Sequence, residues 1–302
     1  MFFVNSKLVM KYDCCCIGRS CIDYIAVVKN YPQKDTKTPL LQYQICLGGQ
    51  AANSSLVLAN LGVKTLLVTS LGQDKLGDMA KKWLRNVKNL KTIIIPSFKT
   101  PCAFIWTEQK TAKRTIVYEK IDKNTLYPKN IIEKSIINSH YLLFDHQSCR
   151  DLYEISYLFP KYKIKLMMDA ERDDKYMFKM LPYISYFVCS KELAKSLKLS
   201  VNKLLKKFIN MGPEIVCCTL GEKGAVAIVK GENKIYYEKS YKVSPVDTTG
   251  AGDVFHAGFL YGIIKKWKIK EILKFSNRLA SLSVKYIGGN NFLNSSEFKV
   301  LL

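Results

Sequence analysis

The chain has 302 residues, 48% of them hydrophobic, and no apolar run of about 18 residues that could span a membrane. This favours a globular protein with one large core over a disordered or membrane-spanning chain. The net charge is +22, from 47 Lys and Arg against 25 Asp and Glu, but the lysines are spread along the whole chain. Such diffuse charge, without a compact basic block, predicts no specific nucleic-acid partner.

The ten cysteines follow no disulfide pattern and lack the Cys-x-x-Cys spacing of a zinc site. Residues 1–11 hold too short an apolar stretch for a secretory signal, although their basic start leaves organelle targeting open. We therefore expect reduced cysteines in a cytoplasmic protein without a membrane partner.

Strands and helices alternate in the N-terminal part of the chain. Apolar periodicity predicts strands at 13–17, 21–28, 40–47 and 64–70, and helices at 50–61 and 75–87. Two further strands at 101–108 and 113–119, joined by a polar turn, predict a hairpin. We expect the segments at about 24–47 and 99–120 to form a small β lid within one domain covering residues 1–302.

The middle of the chain repeats the order strand then helix. The predicted strands lie at 141–145, 164–169, 186–189 and 214–219, and the helices at 149–158, 174–181, 191–197 and 201–208. A hairpin at 225–229 and 234–238 and a final helix at 270–287 complete the chain. The alternation predicts an α/β fold with a doubly wound, mostly parallel sheet flanked by helices.

The most informative stretch is Asp-Thr-Thr-Gly-Ala-Gly-Asp at residues 247–253, directly before an amphipathic helix. The first N–H groups of a helix lack partners and its dipole favours anions, so Gly250, Ala251 and Gly252 can present donors to a phosphate. Asp253 stands beside these donors, where it can accept a proton from an attacking hydroxyl. The alternatives for these residues are an ordinary glycine turn and an exposed carboxylate.

Residues 247–253 resemble the C-terminal signature of the ribokinase-like (PfkB-type) carbohydrate kinases. A second stretch, Gly-Gly-Gln-Ala-Ala-Asn at residues 48–53, resembles the first signature of the same family. The likeness covers residues 12 to 289, and parts of the lid are most similar to ketohexokinases and fructokinases. The resemblance implies an ATP-dependent sugar kinase with Asp253 as the base and Mg²⁺ bridging the nucleotide phosphates. A classical P-loop sequence is absent.

The expected substrate-binding residues come mainly from the N-terminal half. They are Asp23, Gly49, Gln50, Asn53, Arg114, Asp35 and Asp145. A carboxylate or amide at the mouth of a parallel sheet can bind sugar hydroxyls, and glycine allows the backbone to approach a ligand. The resemblance implies that Asp35 reaches the sugar site of a neighbouring subunit, which suggests a homodimer through the lid. Arg114 is either a phosphate ligand or an exposed strand residue, and Asp145 either faces substrate or caps a helix.

The resemblance also implies nucleotide and metal ligands. The expected nucleotide-binding residues are Thr219, Gly221, Gly224, Thr249, Asn277 and Glu192. Asp247 and Thr249 are implied to help bind a potassium ion. The chain departs from the family at Cys189-Ser190-Lys191-Glu192, where many members have Asn-x-x-Glu, so a role of Glu192 in magnesium binding is left open.

Three functions remain in view. The first is phosphorylation of a ketohexose, fructose-like sugar or ribose. The second is a nucleoside kinase of the adenosine type, because the same scaffold phosphorylates ribosides. The third is a catalytically silent relative that acts as a structural or nucleic-acid-binding partner, which the intact Asp253 disfavours.

Overall fold

The computed structural model describes residues 11–119 and 127–301. Two predictions lie outside these residues. One concerns the start of the chain, up to residue 10, and the other the end of the second lid segment at residue 120. The described strands are β1 (Tyr12–Ile17), β2 (Cys21–Val28), β3 (Leu40–Gly48), β4 (Thr65–Gly72), β5 (Leu90–Ser97), β6 (Cys102–Glu108), β7 (Arg114–Tyr118), β8 (Ser139–Asp145), β9 (Lys165–Ala170), β10 (Tyr186–Ser190), β11 (Ile215–Thr219), β12 (Ala225–Val229) and β13 (Ile235–Glu238). The described helices are α1 (Gln50–Asn60), α2 (Lys75–Leu84), α3 (Lys129–Ile137), α4 (Cys149–Tyr153), α5 (Leu158–Tyr162), α6 (Lys175–Met180), α7 (Lys191–Ser196), α8 (Val201–Ile209), α9 (Ala251–Ile264), α10 (Ile269–Ser283) and α11 (Ser296–Lys299).

Nine strands form the main sheet in the order β13-β12-β11-β10-β9-β8-β1-β4-β5. Every pair from β11 to β5 is parallel, and β12 and β13 add an antiparallel edge. Helices cover both faces, because parallel strands need crossover connections. The predicted α/β class with a mostly parallel sheet is confirmed.

The core has two layers, one on each face of the main sheet. Along β1, Cys14 and Cys16 pack into one layer, while Cys15 and Ile17 pack into the other, as the two-residue period of a strand requires. The first layer includes side chains of α1, α2, α9 and α10, and the second those of α3 to α8. All ten cysteines are free, and burial raises the pKa of the Cys15 thiol, which keeps it in its unreactive form.

A second sheet has the strand order β3-β2-β6-β7. The pair β2–β6 is parallel and the two outer pairs are antiparallel. Its inner side is closed by a small apolar cluster that includes Ile25, Ile105 and Ile287. β6 and β7 lie within the segment 99–120 expected for the lid, whereas β2 begins three residues before the segment 24–47 and β3 ends one residue after it. We refer to this four-stranded sheet as the lid sheet.

Three sequence-based predictions are corrected. The helix predicted at 149–158 is two short helices, because Leu152, Ile155 and Leu158 are all buried and their three-residue spacing suits turns with i→i+3 bonds. The helix predicted to reach residue 287 ends at Ser283, since the Val284 carbonyl accepts from the amides of residues 246 and 247. The helix predicted to reach residue 87 ends at Leu84. In addition, the structure contains strand β5 and helix α3, which the sequence analysis did not predict.

Two glycines in α9 allow close packing against α10. A Cβ on Gly258 would lie 3.1 Å from the Ser276 Cα, and one on Gly262 would lie 2.8 Å from the Ile272 Cγ1. This spacing therefore serves helix packing within the fold. In the described part of the chain, none of the helices has both the length and the apolar character needed to traverse a bilayer.

Candidate active site

The candidate site lies where the strand order of the main sheet reverses. β1 lies between β8 and β4, so connections leave it in both directions, and ligands of such sheets bind in the crevice at the carboxyl ends of these strands. The turn at residues 18–20 follows β1, and Asp145 ends β8. Helices α1 and α9 contact each other beside this crevice. Residues from both ends of the chain therefore meet there.

Asp253 and Asn53 face each other across this contact. Asn53 Nδ2 donates to Asp253 Oδ2 at 2.7 Å, and Ser54 Oγ donates to the Asp253 carbonyl at 3.1 Å. Asn53 is held in turn by Asn290, whose Nδ2 donates to Asn53 Oδ1 at 2.8 Å. The side-chain amide thus fixes the carboxylate 200 residues further along the chain. Sequence analysis did not identify Asn290, because it lies in a loop without a motif.

Asp253 holds its proton more tightly than an ordinary aspartate. Its pKa is raised from 3.8 to about 7, first by burial and then by the Asp169 carboxyl, while the hydrogen bond from Asn53 and the nearby His256 act in the opposite direction. A carboxyl with a pKa near neutrality is suited to accept a proton from a hydroxyl group.

The glycine turn before α9 provides donors and open space. Gly250 has a left-handed φ of 73°, and a Cβ there would lie 2.4 Å from the Gly289 Cα, so only glycine fits. The Ala251 amide already bonds to the Thr248 carbonyl at 3.3 Å. A Cβ on Gly252 would meet no atom within 4 Å. The following first-turn amides therefore border a space that can hold an anion.

Asp247 is a buried hub of hydrogen bonds. Its Oδ1 accepts from the Thr249 amide at 3.0 Å, the Thr249 hydroxyl at 2.8 Å and the Thr107 hydroxyl at 3.2 Å. Its Oδ2 accepts from the Gly288 amide at 2.9 Å. Oδ2 accepts this one bond in the described part of the chain, so a lone pair of the carboxylate remains for a further donor or a cation. No cluster of three or more His, Cys, Asp or Glu side chains able to hold a metal occurs among the described residues.

Asp23 enters the crevice from β2 of the lid sheet. It is 5% exposed, it accepts from Cys21 Sγ at 3.2 Å, and burial raises its pKa to about 6. A Cβ on Gly48 would come within 2.1 Å of its carboxylate, so this glycine makes room for it. Arg114 lies close enough to lower the pKa of Asp23, and its Nη1 donates to Thr248 Oγ1 at 2.8 Å. Arg114 thus connects the lid sheet with the glycine turn.

A buried chain of contacts lies behind Asp253. Gln50 Nε2 donates to Asp169 Oδ2 at 3.0 Å, and Asp169 Oδ1 lies 3.2 Å from His256 Nε2. His256 Nδ1 lies 2.6 Å from the Gly252 carbonyl. Burial raises the pKa of Asp169 and lowers the pKa of His256, and His256 Nε2 also lies 3.3 Å from the Val188 carbonyl. His256 is therefore a packed, hydrogen-bonded histidine that positions the start of α9.

Two of the expected substrate residues have structural tasks. Asp145 accepts from the Arg19 amide at 3.1 Å and from the Ser148 amide at 3.0 Å and hydroxyl at 2.9 Å, so it caps the turn after β8. Gly49 has φ 97° and its Cβ would lie 2.4 Å from the Arg19 carbonyl oxygen. Asp35 lies in the exposed connection between β2 and β3, with φ 60°.

The expected nucleotide residues follow β10 and β11. Thr219 ends β11, and the next turn holds Gly221 and Gly224, both with positive φ. The Asn277 side chain is buried and donates to the carbonyls of residues 238 and 239 at 2.9 and 3.4 Å, so its amide N–H groups fasten the end of β13. Glu192, at the start of α7, pairs with Lys195 at 3.0 Å. An exposed pair of this kind contributes little to stability and leaves the carboxylate open to solvent.

Comparisons with known proteins identify the family of the chain. A model of the pfkB family carbohydrate kinases matches residues 11–296. An ATP-dependent 6-phosphofructokinase of Thermoanaerobacterium thermosaccharolyticum is 26% identical over 95% of this chain and 94% of its own length. Ketohexokinase of Mus musculus is 24% identical over 88% of this chain and 93% of its own. The structure of Arabidopsis thaliana ribokinase complexed with ribose and ATP superposes with a TM-score of 0.78 at 19% identity, covering 95% of this chain and 100% of that chain. The chain therefore belongs to the pfkB family of carbohydrate kinases, and its fold is ribokinase-like.

Proposed function

We propose that this protein transfers the γ-phosphate of ATP to a hydroxyl group of a small carbohydrate. The observation that carries this proposal is the 2.7 Å hydrogen bond between Asn53 and Asp253. It places a carboxylate with a pKa near 7 beside the glycine turn of α9 and beside the first turn of α1. A proton acceptor and an anion-binding helix end are thus combined at one edge of the sheet, as phosphoryl transfer requires.

Each of these residues has a separate role in the proposed reaction. Asp23 and Asn53 orient the acceptor, because a carboxylate and an amide can bind adjacent hydroxyl groups. Asp253 accepts the proton of the attacking hydroxyl, and the amides at Gly250 and Gly252 offset the negative charge of the transferring group. The Ala251 amide holds the turn instead, through its bond to the Thr248 carbonyl. Bound magnesium would neutralise the nucleotide phosphates.

Two regions complete the proposed ATP site. The turn of Thr219, Gly221 and Gly224 lies where the nucleotide would extend from the glycine turn, and Thr249 supports the loop through Asp247. Glu192 is a candidate for a water-mediated magnesium contact, since it is an exposed carboxylate at the carboxyl end of β10. Arg114 is positioned to reach the transferring phosphate with planar donors. Asp247 is also a candidate potassium ligand through Oδ2, which accepts one hydrogen bond in the described part of the chain.

The acceptor class is tested with a panel of fructose, ribose, other ketoses and adenosine, each incubated with ATP and magnesium while ADP release is measured. We expect turnover with carbohydrates. A preference for adenosine would replace the sugar-kinase proposal by the nucleoside-kinase alternative. A nucleoside kinase needs an aromatic ring that stacks on the base. Tyr24 does not provide such a ring beside Asp23, because its side chain lies on the other face of β2. There it stacks on Phe104, with ring centroids 5.2 Å apart.

The hydrogen bond from Asn53 should set the pH dependence of catalysis. Activity needs the deprotonated form of Asp253, so kcat/KM should rise with pH up to about 7 and then level off. In Asn53→Ala the carboxylate loses a hydrogen bond that lowers its pKa, and we expect the rising limb to move to higher pH by about one unit.

The matched control for this variant is Asn60→Ala, which removes a similar amide from the end of the same helix, where it donates to the Leu56 carbonyl. Its pH profile should equal that of the wild type. An unchanged limb in Asn53→Ala would show that this amide does not tune Asp253.

We also propose a homodimer through the lid sheet. Tyr43, Phe104 and Val117 expose 67%, 48% and 55% of their surface on the side of the sheet that faces away from Asp23. Asp35, in the exposed turn beside this surface, would then lie near a second subunit. Sedimentation of the wild type and of Phe104→Glu tests the dimer, and a monomeric wild type at micromolar concentration would contradict the dimer proposal.

The free cysteines support a reducing, cytoplasmic location of the protein.

A further inference from the structure

Four side chains gather at the crevice without a task in the proposed phosphoryl transfer. Arg19 follows β1, His146 follows β8, Arg172 follows β9, and Tyr118 ends β7 of the lid sheet. Because β1, β8 and β9 are neighbours in the main sheet, the first three rise from the same edge. We call these four residues the arginine cluster.

Arg19 is the cation of the arginine cluster that is best placed to bind an anion. Its side chain is partly buried and lies within electrostatic reach of Asp145 and Tyr118. Its guanidinium makes no hydrogen bond or ion pair with another residue in the ranges 11–119 and 127–301, although its amide bonds to Asp145. Asp145 lies nearby, but its Oδ1 accepts from the amides of residues 147 and 148 and from the Ser148 hydroxyl, and its Oδ2 accepts from the Arg19 amide rather than from the guanidinium. A partly buried charge without a partner costs free energy that a bound anion would recover.

The other members add donors around the same space. Arg172 Nη1 donates to the Tyr118 hydroxyl at 3.2 Å, and the guanidinium carbon lies 5.9 Å from the ring centroid. His146 Nδ1 is buried and has no hydrogen-bond partner among the described residues. Glu171, which also acts on Arg172 and His146, is exposed. In the described part of the chain it forms no ion pair within 4.0 Å.

The register of the lid sheet connects the arginine cluster with the acceptor site. Asp23 on β2 pairs with Ala103 on β6, and Ala103 pairs with Tyr118 on β7. Residues paired across neighbouring strands point to the same face, so Asp23 and Tyr118 lie in one row above the crevice. An acceptor held by Asp23 would thus extend from Asp253 at one end towards the arginine cluster at the other.

We infer that the acceptor is an anionic carbohydrate, whose phosphate or carboxylate group binds between Arg19 and Arg172 at the end remote from the hydroxyl that is phosphorylated. Two guanidinium groups can bind such an anion through paired, charge-assisted hydrogen bonds. His146 Nδ1 lies in the same cluster as a further polar contact. This inference rests on the proposed kinase function and names its substrate class.

The test measures binding by titration calorimetry with three probes: fructose 6-phosphate, gluconate and uncharged fructose. We expect at least one anionic probe to bind the wild type about 10-fold or more tightly than fructose. In Arg19→Met, which keeps the length and apolar character of the stem, that probe should lose about 10- to 100-fold in affinity, while fructose should bind unchanged. The phosphate and carboxylate probes distinguish the two possible anions.

Two further variants complete the design. Arg172→Met changes an exposed side chain, so it should fold even if Arg19→Met does not, and it should weaken the same probe. Arg85→Met changes an exposed arginine at the end of α2 and should change nothing.

Equal binding of all three probes to the wild type would overturn the inference, and so would an equal loss for all three in the arginine variants. ADP release is measured with the same probes. Turnover of fructose that is insensitive to Arg19 would retain the kinase proposal without the anionic substrate. Anion binding that depends on Arg19 but gives no ADP would retain the anion site and contradict the kinase proposal.

Discussion

Replacing Asp253 by asparagine should lower kcat by about 100- to 10,000-fold while ATP binding changes little. The asparagine keeps the size of the side chain, but it cannot accept the proton of the attacking hydroxyl. Asn53 Nδ2 donates to this side chain at 2.7 Å, and the amide oxygen of asparagine can still accept that bond, so the local fold should be retained. Steady-state ADP release and nucleotide titration measure the two effects separately.

Asp78→Asn is a suitable control, because Asp78 is an exposed carboxylate on α2 whose pairing with Lys81 contributes little. Its activity should equal that of the wild type. A kcat within about threefold of the wild type in Asp253→Asn would show that another group accepts the proton.

Gly250→Ala should lower both stability and activity. A residue with a Cβ at φ 73° costs about 1–2 kcal/mol, and the Cβ would also lie 2.4 Å from the Gly289 Cα and 3.2 Å from Asn53 Nδ2. The backbone must move to remove this overlap, which adds about 1–3 kcal/mol. Because the displaced turn bears the first amides of α9, kcat/KM should fall by about 100-fold. Chemical denaturation and ADP release provide the readouts.

The neighbouring glycine of the same turn provides a matched control for stability. A Cβ on Gly252 would meet no atom within 4 Å, and alanine favours the helical conformation by about 1 kcal/mol over glycine. Gly252→Ala should therefore unfold at the same or a higher denaturant concentration than the wild type. Equal stability of the two alanine variants would mean that the turn does not require its left-handed glycine.

Local features of the chain predicted much of the fold. The alternation of apolar runs with helical periods indicated the parallel sheet, and it placed the start of α2 at residue 75, where Asp74 accepts from the Gly77 amide at 2.7 Å. The glycine turn before α9 could also be predicted, because glycine pairs beside a helix start have few other uses.

Long-range contacts within the site could not be predicted. The bond between Asn290 and Asn53 joins residues 237 positions apart, and neither local sequence contains a sign of the other. Asn277 and Asp247 match positions expected to bind nucleotide and metal, and the structure adds tertiary hydrogen bonds from the Asn277 amide group and to both Asp247 oxygens. In the sequence, no feature distinguishes Arg19 from an ordinary loop arginine. Only the packing of β1 against β8 shows that its side chain is partly buried and that, in the part of the chain that the structure describes, its guanidinium has no hydrogen-bond or ion-pair partner.

The central claim is that a carbohydrate hydroxyl attacks ATP in the crevice that contains Asp253. Phosphorus NMR of wild-type protein with ATP, magnesium and the neutral and anionic acceptors named above tests it directly. We predict that a phosphomonoester of one acceptor accumulates in equal amount with ADP, and that neither forms with Asp253→Asn. Release of inorganic phosphate alone, or no consumption of ATP with any acceptor, would contradict the account.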